Sequence, residues 1–130
     1  MKIGFTGNQE GMSKNQTEGL RRELEKLQAT ELHHGDCIGA DAEADQIARE
    51  LGLSVVIHPP NNPNKRAWCA RLGDIEYEEK PYLVRNHDIV DAVDVMFAAP
   101  KTMTEELRSG TWATIRYARK KHLNIYILVR

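Results

Sequence analysis

The sequence predicts an α/β protein: a single Rossmann-like domain of about five parallel strands, in the order 3-2-1-4-5, with helices on both faces. Three observations carry that prediction. Apolar runs of strand length alternate with stretches of helical periodicity along the chain. The runs are apolar nearly throughout rather than alternating, as in strands buried on both faces. The length, 130 residues, suits one domain with a core of its own.

The elements follow in order. "KIGFT" is a buried strand that ends at Gly7. Residues 15 to 28 carry Leu20, Leu24 and Leu27, spaced four and three apart, which makes a helical stripe. "TELHHGD" is a short strand. In "GADAEADQIARELG" the residues Ala44, Ile47, Ala48 and Leu51 share one helix face, and Gly52 ends it. "LSVVIHPP" is a strand closed by prolines. Ile89, Val90 and Val93 give "YLVRNHDIVDAV" its helical face, "DVMFAAP" is the fourth strand, and "GTWATIRYARKKH" is a helix with a basic last turn. "NIYILV" is the final strand. Residues 59 to 81 exceed an ordinary connection and start at the carboxyl end of the third strand. They read as a lid over the crevice, or as a surface excursion with a short helix at Lys65 to Leu72.

The bulk properties exclude some function classes. Formal net charge is −1, so no overall basic field draws the chain to DNA or to an anionic membrane. No window approaches a membrane span and the N-terminus has no long apolar leader region, which predicts a protein with no membrane partner. Cys37 and Cys69 form no CxxC pair, so a reduced, cytoplasmic protein is expected. His33 and His34 are adjacent in a strand and point to opposite faces, which argues against one shared metal ion. No metal and no cofactor are expected.

In this fold class ligands bind beyond the carboxyl ends of the strands, where the strand order reverses. Four loops meet there. Gly7 and Asn8 offer close backbone approach and a neutral hydrogen-bonding group. Gly35 and Gly39 bracket a turn, with Asp36 inside it and Asp41 at the next helix start. The acids Asp41, Glu43 and Asp45 repel phosphate there, so Asp36 and Asp41 are assigned to ribose hydroxyls, with self-capping of the helix as the alternative for Glu43 and Asp45. Arg85 and Asn86 begin a helix, and Arg85 suits a phosphate or carboxylate; its alternative is pairing with Glu78 or Asp88. Ser109, Gly110 and Thr111 start the last helix beside Arg108. They form the preferred phosphate site, cap and anion cradle together. Lys65, Arg66 and Trp68 stand in the presumed lid, with Trp68 placed to stack on a base.

Three segments, "HHGDCIGADAEADQIARELG", "YLVRNHDIVDAVDVMFAAP" and "RSGTWATIRYARKKHLNIYIL", together resemble the SLOG superfamily. That Rossmann-like group includes LOG-type enzymes, the DNA-processing protein A family and small YpsA-like proteins of bacteria and phages. The resemblance covers nearly the whole chain. It implies binding of a nucleotide or nucleotide-derived ligand, as sensor or sequestering protein, through Gly35, Gly39, Asp41, Arg85, Asn86, Ser109, Gly110 and Thr111. It also implies pairing of copies into a homo-oligomer. LOG-type enzymes cleave the base from a nucleoside monophosphate and carry a PGGxGTxxE motif. Here "RSGTWAT" aligns with it, and Thr114 stands where the Glu belongs. An enzymatic reading, an N-glycosidase or related hydrolase, therefore has to take its carboxylate from Asp36, Asp41 or Glu105. A single-stranded nucleic-acid binder is the third reading, which the slightly acidic charge does not favour.

Overall fold

The computed structural model describes all residues, Met1–Arg130. Six strands form one parallel sheet: β1 (Lys2–Gly7), β2 (Glu31–His34), β3 (Ser54–Ile57), β4 (Ile75–Glu76), β5 (Val95–Ala99) and β6 (Asn124–Ile127). Their spatial order is β4-β3-β2-β1-β5-β6. Without β4 this is the expected 3-2-1-4-5 arrangement. The additional strand is a two-residue edge piece inside the long 59–81 connection, with both residues exposed. It carries no apolar run for periodicity to detect.

Four helices cover the sheet: α1 (Lys14–Lys26), α2 (Ala40–Glu50), α3 (Tyr82–Ala92) and α4 (Gly110–Lys120). The two faces read directly from alternation along the central strands. Ile3, Phe5, Val95 and Phe97 pack with Leu20, Leu24, Ala44 and Ile47 of α1 and α2. Met96 packs with Ile89, Val90 and Ala118, and Ala98 packs with Trp112 and Ile115, from α3 and α4. Two glycines let these layers close. A Cβ on Gly4 would collide with Met96 Sδ, and one on Gly7 with the Ala40 Cβ.

Local chemistry sets the helix starts. Ser13 and Gln16 form a reciprocal capping box at α1. The Gln16 side chain is fully buried and donates to Pro100 O at 3.2 Å and Leu128 O at 3.1 Å, which ties α1 to the ends of β5 and β6. Gly39 precedes α2 with φ 90°, a left-handed-side conformation suited to glycine. Ser109 caps α4 by accepting from Trp112 N at 3.2 Å.

The 59–81 connection makes one 3-10 turn at Pro63–Lys65 and no helix over Lys65 to Leu72. It is stitched to the β2–α2 loop instead. Ile38 N donates to Lys65 O at 2.9 Å, and Ala67 N donates to Asp36 O at 2.7 Å. No helix is long and apolar enough to cross a membrane.

Candidate functional site: a polar cleft at the strand ends

The carboxyl ends of β1 and β5 open into a cleft of about 630 Å³, walled by the loops after β1, β2, β3 and β5 and by the starts of α3 and α4. Its size is that of a small-molecule site, and its lining is unusually polar for one. Only three of its 22 lining residues are hydrophobic. Such a surface is built to meet hydrogen-bonding atoms and charge rather than an apolar body.

Ten of the residues nominated by the sequence line the cleft: Gly7, Asn8, Gly35, Asp41, Lys65, Arg85, Asn86, Ser109, Gly110 and Thr111. They come from five segments far apart in the chain. Thr6, Asn86 and Thr111 are each more than nine-tenths buried, so the cleft has polar depth as well as a polar rim.

At one end stands the start of α4. The Ser109 side chain serves Trp112 N, while Gly110 and Thr111 occupy the first turn, whose amides have no carbonyl one turn back. Those amides and the helix dipole favour an anion, and the first turn of α4 holds no acidic residue. At α2 the first turn carries Asp41 and Glu43, which makes that start hostile to phosphate.

Arg85 rises from α3 to the cleft floor and is 4% exposed. Nε donates to Tyr82 O at 3.3 Å, and Nη1 to Gly35 O and, at 3.2 Å, to His58 O; Nη2 lies 3.4 Å from Cys37 Sγ. All these partners are neutral. The guanidinium is thus fixed in place with its charge uncompensated by a carboxylate, and the expected pairing with Glu78 or Asp88 is not made. Asp88 goes to Lys80 at 2.7 Å. Lys65 Nζ also meets a neutral group, Gln9 Oε1 at 2.8 Å, whereas Lys101 pairs with Glu10 at 3.0 Å.

Five nominated residues lie outside the lining. Asp36 is fully buried and is held by Arg66 Nε at 2.8 Å and Cys69 N at 2.8 Å, so its oxygens brace the 59–81 segment instead of facing a ribose. Arg66 is spent on that brace and on Glu76 at 2.8 Å. Trp68, 63% exposed, sits with φ 58° and turns away to stack on the Arg66 guanidinium at 4.0 Å. Gly39 lies behind the β1 loop, where a Cβ would meet Gln9 C and O. Glu105 points to Arg116 at 2.7 Å. Thr114 is buried and donates to Gly110 O at 2.9 Å, inside the helix.

Two histidines divide as the strand geometry requires. His34 Nδ1 accepts from Asp36 N at 2.9 Å, which leaves the proton on Nε2 to donate to Asp45 at 2.8 Å. His34, Asp45 and Cys69 converge within 4.8 Å, yet that proton and the Arg49 bonds to Asp45 occupy the His34 and Asp45 atoms a metal would need. His33 Nδ1 faces His58 Nε2 at 2.9 Å on the other side. Burial, helped by the proximity of His33, drives the His58 pKa down to about 3.

Sequence reasoning missed Tyr82, Lys101 and Cys37, all of which line the cleft. Tyr82 is half exposed at the rim, and its ring lies against Gly110, 3.1 Å from where a Cβ would stand. It precedes Arg85 and Asn86 by three and four residues on α3, the spacing that puts all three on one face. That spacing was the available signal.

Set beside solved structures, the chain superposes on proteins of one architecture. A molybdenum cofactor binding protein from Rippkaea orientalis matches with TM-score 0.73 and 19% identity, over 97% of this chain and 74% of that one. DNA processing protein A from Streptococcus pneumoniae matches with TM-score 0.71 and 18% identity, over 97% of this chain and 49% of that one. The fold they share with this chain is Rossmann-like. DNA processing protein A from Helicobacter pylori, described by its single-stranded DNA binding mode, shares this fold with TM-score 0.69 and 21% identity, over 100% of this chain and 66% of that one. The sequence matches no protein-family model and no curated protein.

Proposed function

We propose that the cleft binds a nucleotide or nucleotide-derived small molecule by its phosphate, and that the chain acts as a sensor or sequestering protein for it. One observation carries the reading. The start of α4, with its first-turn amides and no acid, opens onto the same cavity as Arg85 and Lys65, two cations without a carboxylate partner. Fixed amides and an uncompensated guanidinium are the groups that recognise phosphate. Asn86 and Thr6 then offer hydrogen bonds to sugar and base, and Tyr82 a face for stacking, whereas the Asn8 side chain is taken up by Gly11 O, Ala99 O and Glu10 N. The molybdenum cofactor binding protein with this fold supports a small-molecule occupant. A thermal-shift series with adenosine, AMP, ADP-ribose and cyclic AMP tests the reading. Only phosphorylated ligands should raise Tm, and about 100-fold saturation adds roughly 2.7 kcal/mol. No shift with any of them refutes it.

Turnover of such a ligand is the second reading, favoured by the cleft carboxyl of Asp41. With Asp36 and Glu105 committed elsewhere, Asp41 is the nominated carboxyl that remains to serve an N-glycosidase. Chromatographic detection of free base, abolished in Asp41→Asn, supports it. Single-stranded DNA binding, described for the Helicobacter protein, would instead show affinity that falls steeply with salt.

A further inference from the structure

The cleft floor holds a carboxyl group that anion binding does not use. Asp41 is 5% exposed and lines the cavity. Its Oδ2 accepts from Cys37 N at 3.2 Å, while its Oδ1 is buried with no hydrogen-bond partner. The neighbouring buried acids are treated differently. Asp36 has Arg66 and the Cys69 amide, and Asp45 has His34 and Arg49. A bare, buried carboxylate oxygen is costly, and a cost left standing in one place marks a group kept for a partner that arrives later.

The surroundings decide which protonation state waits there. From α3 comes Arg85, whose bonds go to carbonyls and the Cys37 thiol and not to Asp41. From β2 comes His34, neutral because Nδ1 accepts an amide proton and Nε2 donates to Asp45. The β2–α2 loop contributes Cys37 and the Arg66-bound Asp36. The β1 loop packs on the start of α2 through Asn8, whose carbonyl accepts from Ala40 N at 3.0 Å, and Lys65 is directed to Gln9. Burial pushes the Asp41 carboxyl up from its ordinary range, with the Arg85 charge pulling the other way.

We propose that Asp41 presents a protonated carboxyl to the cleft and donates a hydrogen bond from Oδ1 to an acceptor atom on the sugar or base of the bound ligand. This deepens the nucleotide reading and rests on it for the ligand. It reverses the role expected for a helix-start acid, which would accept from ribose hydroxyls. Asp41 then selects ligands by an acceptor at that point, and binding requires that the proton stay. Raising the pH ionises Asp41, and affinity falls with it.

Two measurements test the assignment. The first is the carboxyl carbon of Asp41 in the ligand-free protein, followed by NMR over pH and assigned with Asp41→Asn. It should titrate above the usual value of about 3.9. Titration at or below that value overturns the proposal whatever the ligand. The second is calorimetric affinity for ADP-ribose, whose diphosphate has no proton to lose near neutrality. Wild type should bind more weakly as pH rises, Asp41→Asn should bind with a flat profile because its amide keeps a donor, and Asp41→Ala should lose about tenfold. A flat wild-type profile, or Asn as weak as Ala, overturns the proposal. ADP-ribose that fails to bind wild type at any pH removes that ligand from the nucleotide reading, and the carboxyl titration then decides the Asp41 assignment by itself.

Discussion

Gly35→Ala tests the account of the cleft floor most sharply among single substitutions. A Cβ built on Gly35 would lie 2.6 Å from Arg85 Cζ, closer still to Nη1, and 2.9 Å from Asp41 Oδ2. The guanidinium has to retreat by more than an ångström for Nη1 to reach an ordinary contact. An exposed arginine would do so freely. This one is 4% exposed and anchored on three carbonyls, so retreat breaks its Nη1 bonds to Gly35 O and His58 O. Hydrogen bonds to a charged group contribute about 1.5–3 kcal/mol each, so losing both costs about 3 kcal/mol or more. Against a total of about 5–15 kcal/mol for a domain, that is a large fraction. Urea unfolding at pH 7 should show a lower midpoint with unchanged slope, because compactness is preserved. A loss under about 1 kcal/mol would refute the reasoning, since it would mean that Arg85 is not held where its bonds place it.

Further outcomes follow from the same geometry. Ser109→Ala removes the cap on Trp112 N and should cost about 1 kcal/mol in urea while leaving the Gly110 and Thr111 amides available. Gly110→Val does the opposite: the half-exposed Tyr82 ring, 3.1 Å from the new Cβ, can give way, so Tm changes little while phosphate-ligand affinity drops in calorimetry. Asp36→Ala leaves Arg66 to Glu76 and frees Cys69 N; the two lost hydrogen bonds to the carboxylate should cost about 3 kcal/mol by the same urea assay. For His58 the folded pKa, about 3, lies below the unfolded value of about 6.5, so the unfolded chain binds more protons between them. Stability should therefore fall as pH drops from 6.5 toward 3, by up to about 1.4 kcal/mol per unit, and a thermal series on His58→Gln should be flatter.

Much of the fold was legible because its strands are buried on both faces. "VMFAA" is buried at every position, and such a run leaves little alternative to a central strand. The edge strand at Ile75–Glu76 was not legible, since an exposed dipeptide held by register to β3 carries no local signal. The site was legible where glycine, a helix start and a cation occur together, as at Ser109–Thr111. It failed where the decisive fact was a long-range pairing. Asp36 and Asp41 look alike in "GDCIGAD", but Arg66, thirty residues away, takes one and leaves the other in the cleft. Trp68 misled for a backbone reason: its φ of 58° turns the chain so that the ring lies on Arg66. Tyr82 escaped notice because "YLV" reads as an ordinary helical start.

The central claim is that the first turn of α4 is a phosphate cradle. The most direct measurement is an amide-resolved NMR titration with AMP, repeated with adenosine. The account predicts that the Gly110 and Thr111 amides move with AMP and hold still with adenosine. If AMP leaves both unmoved while it shifts amides elsewhere, such as those around Trp68, the cradle is not where the ligand binds.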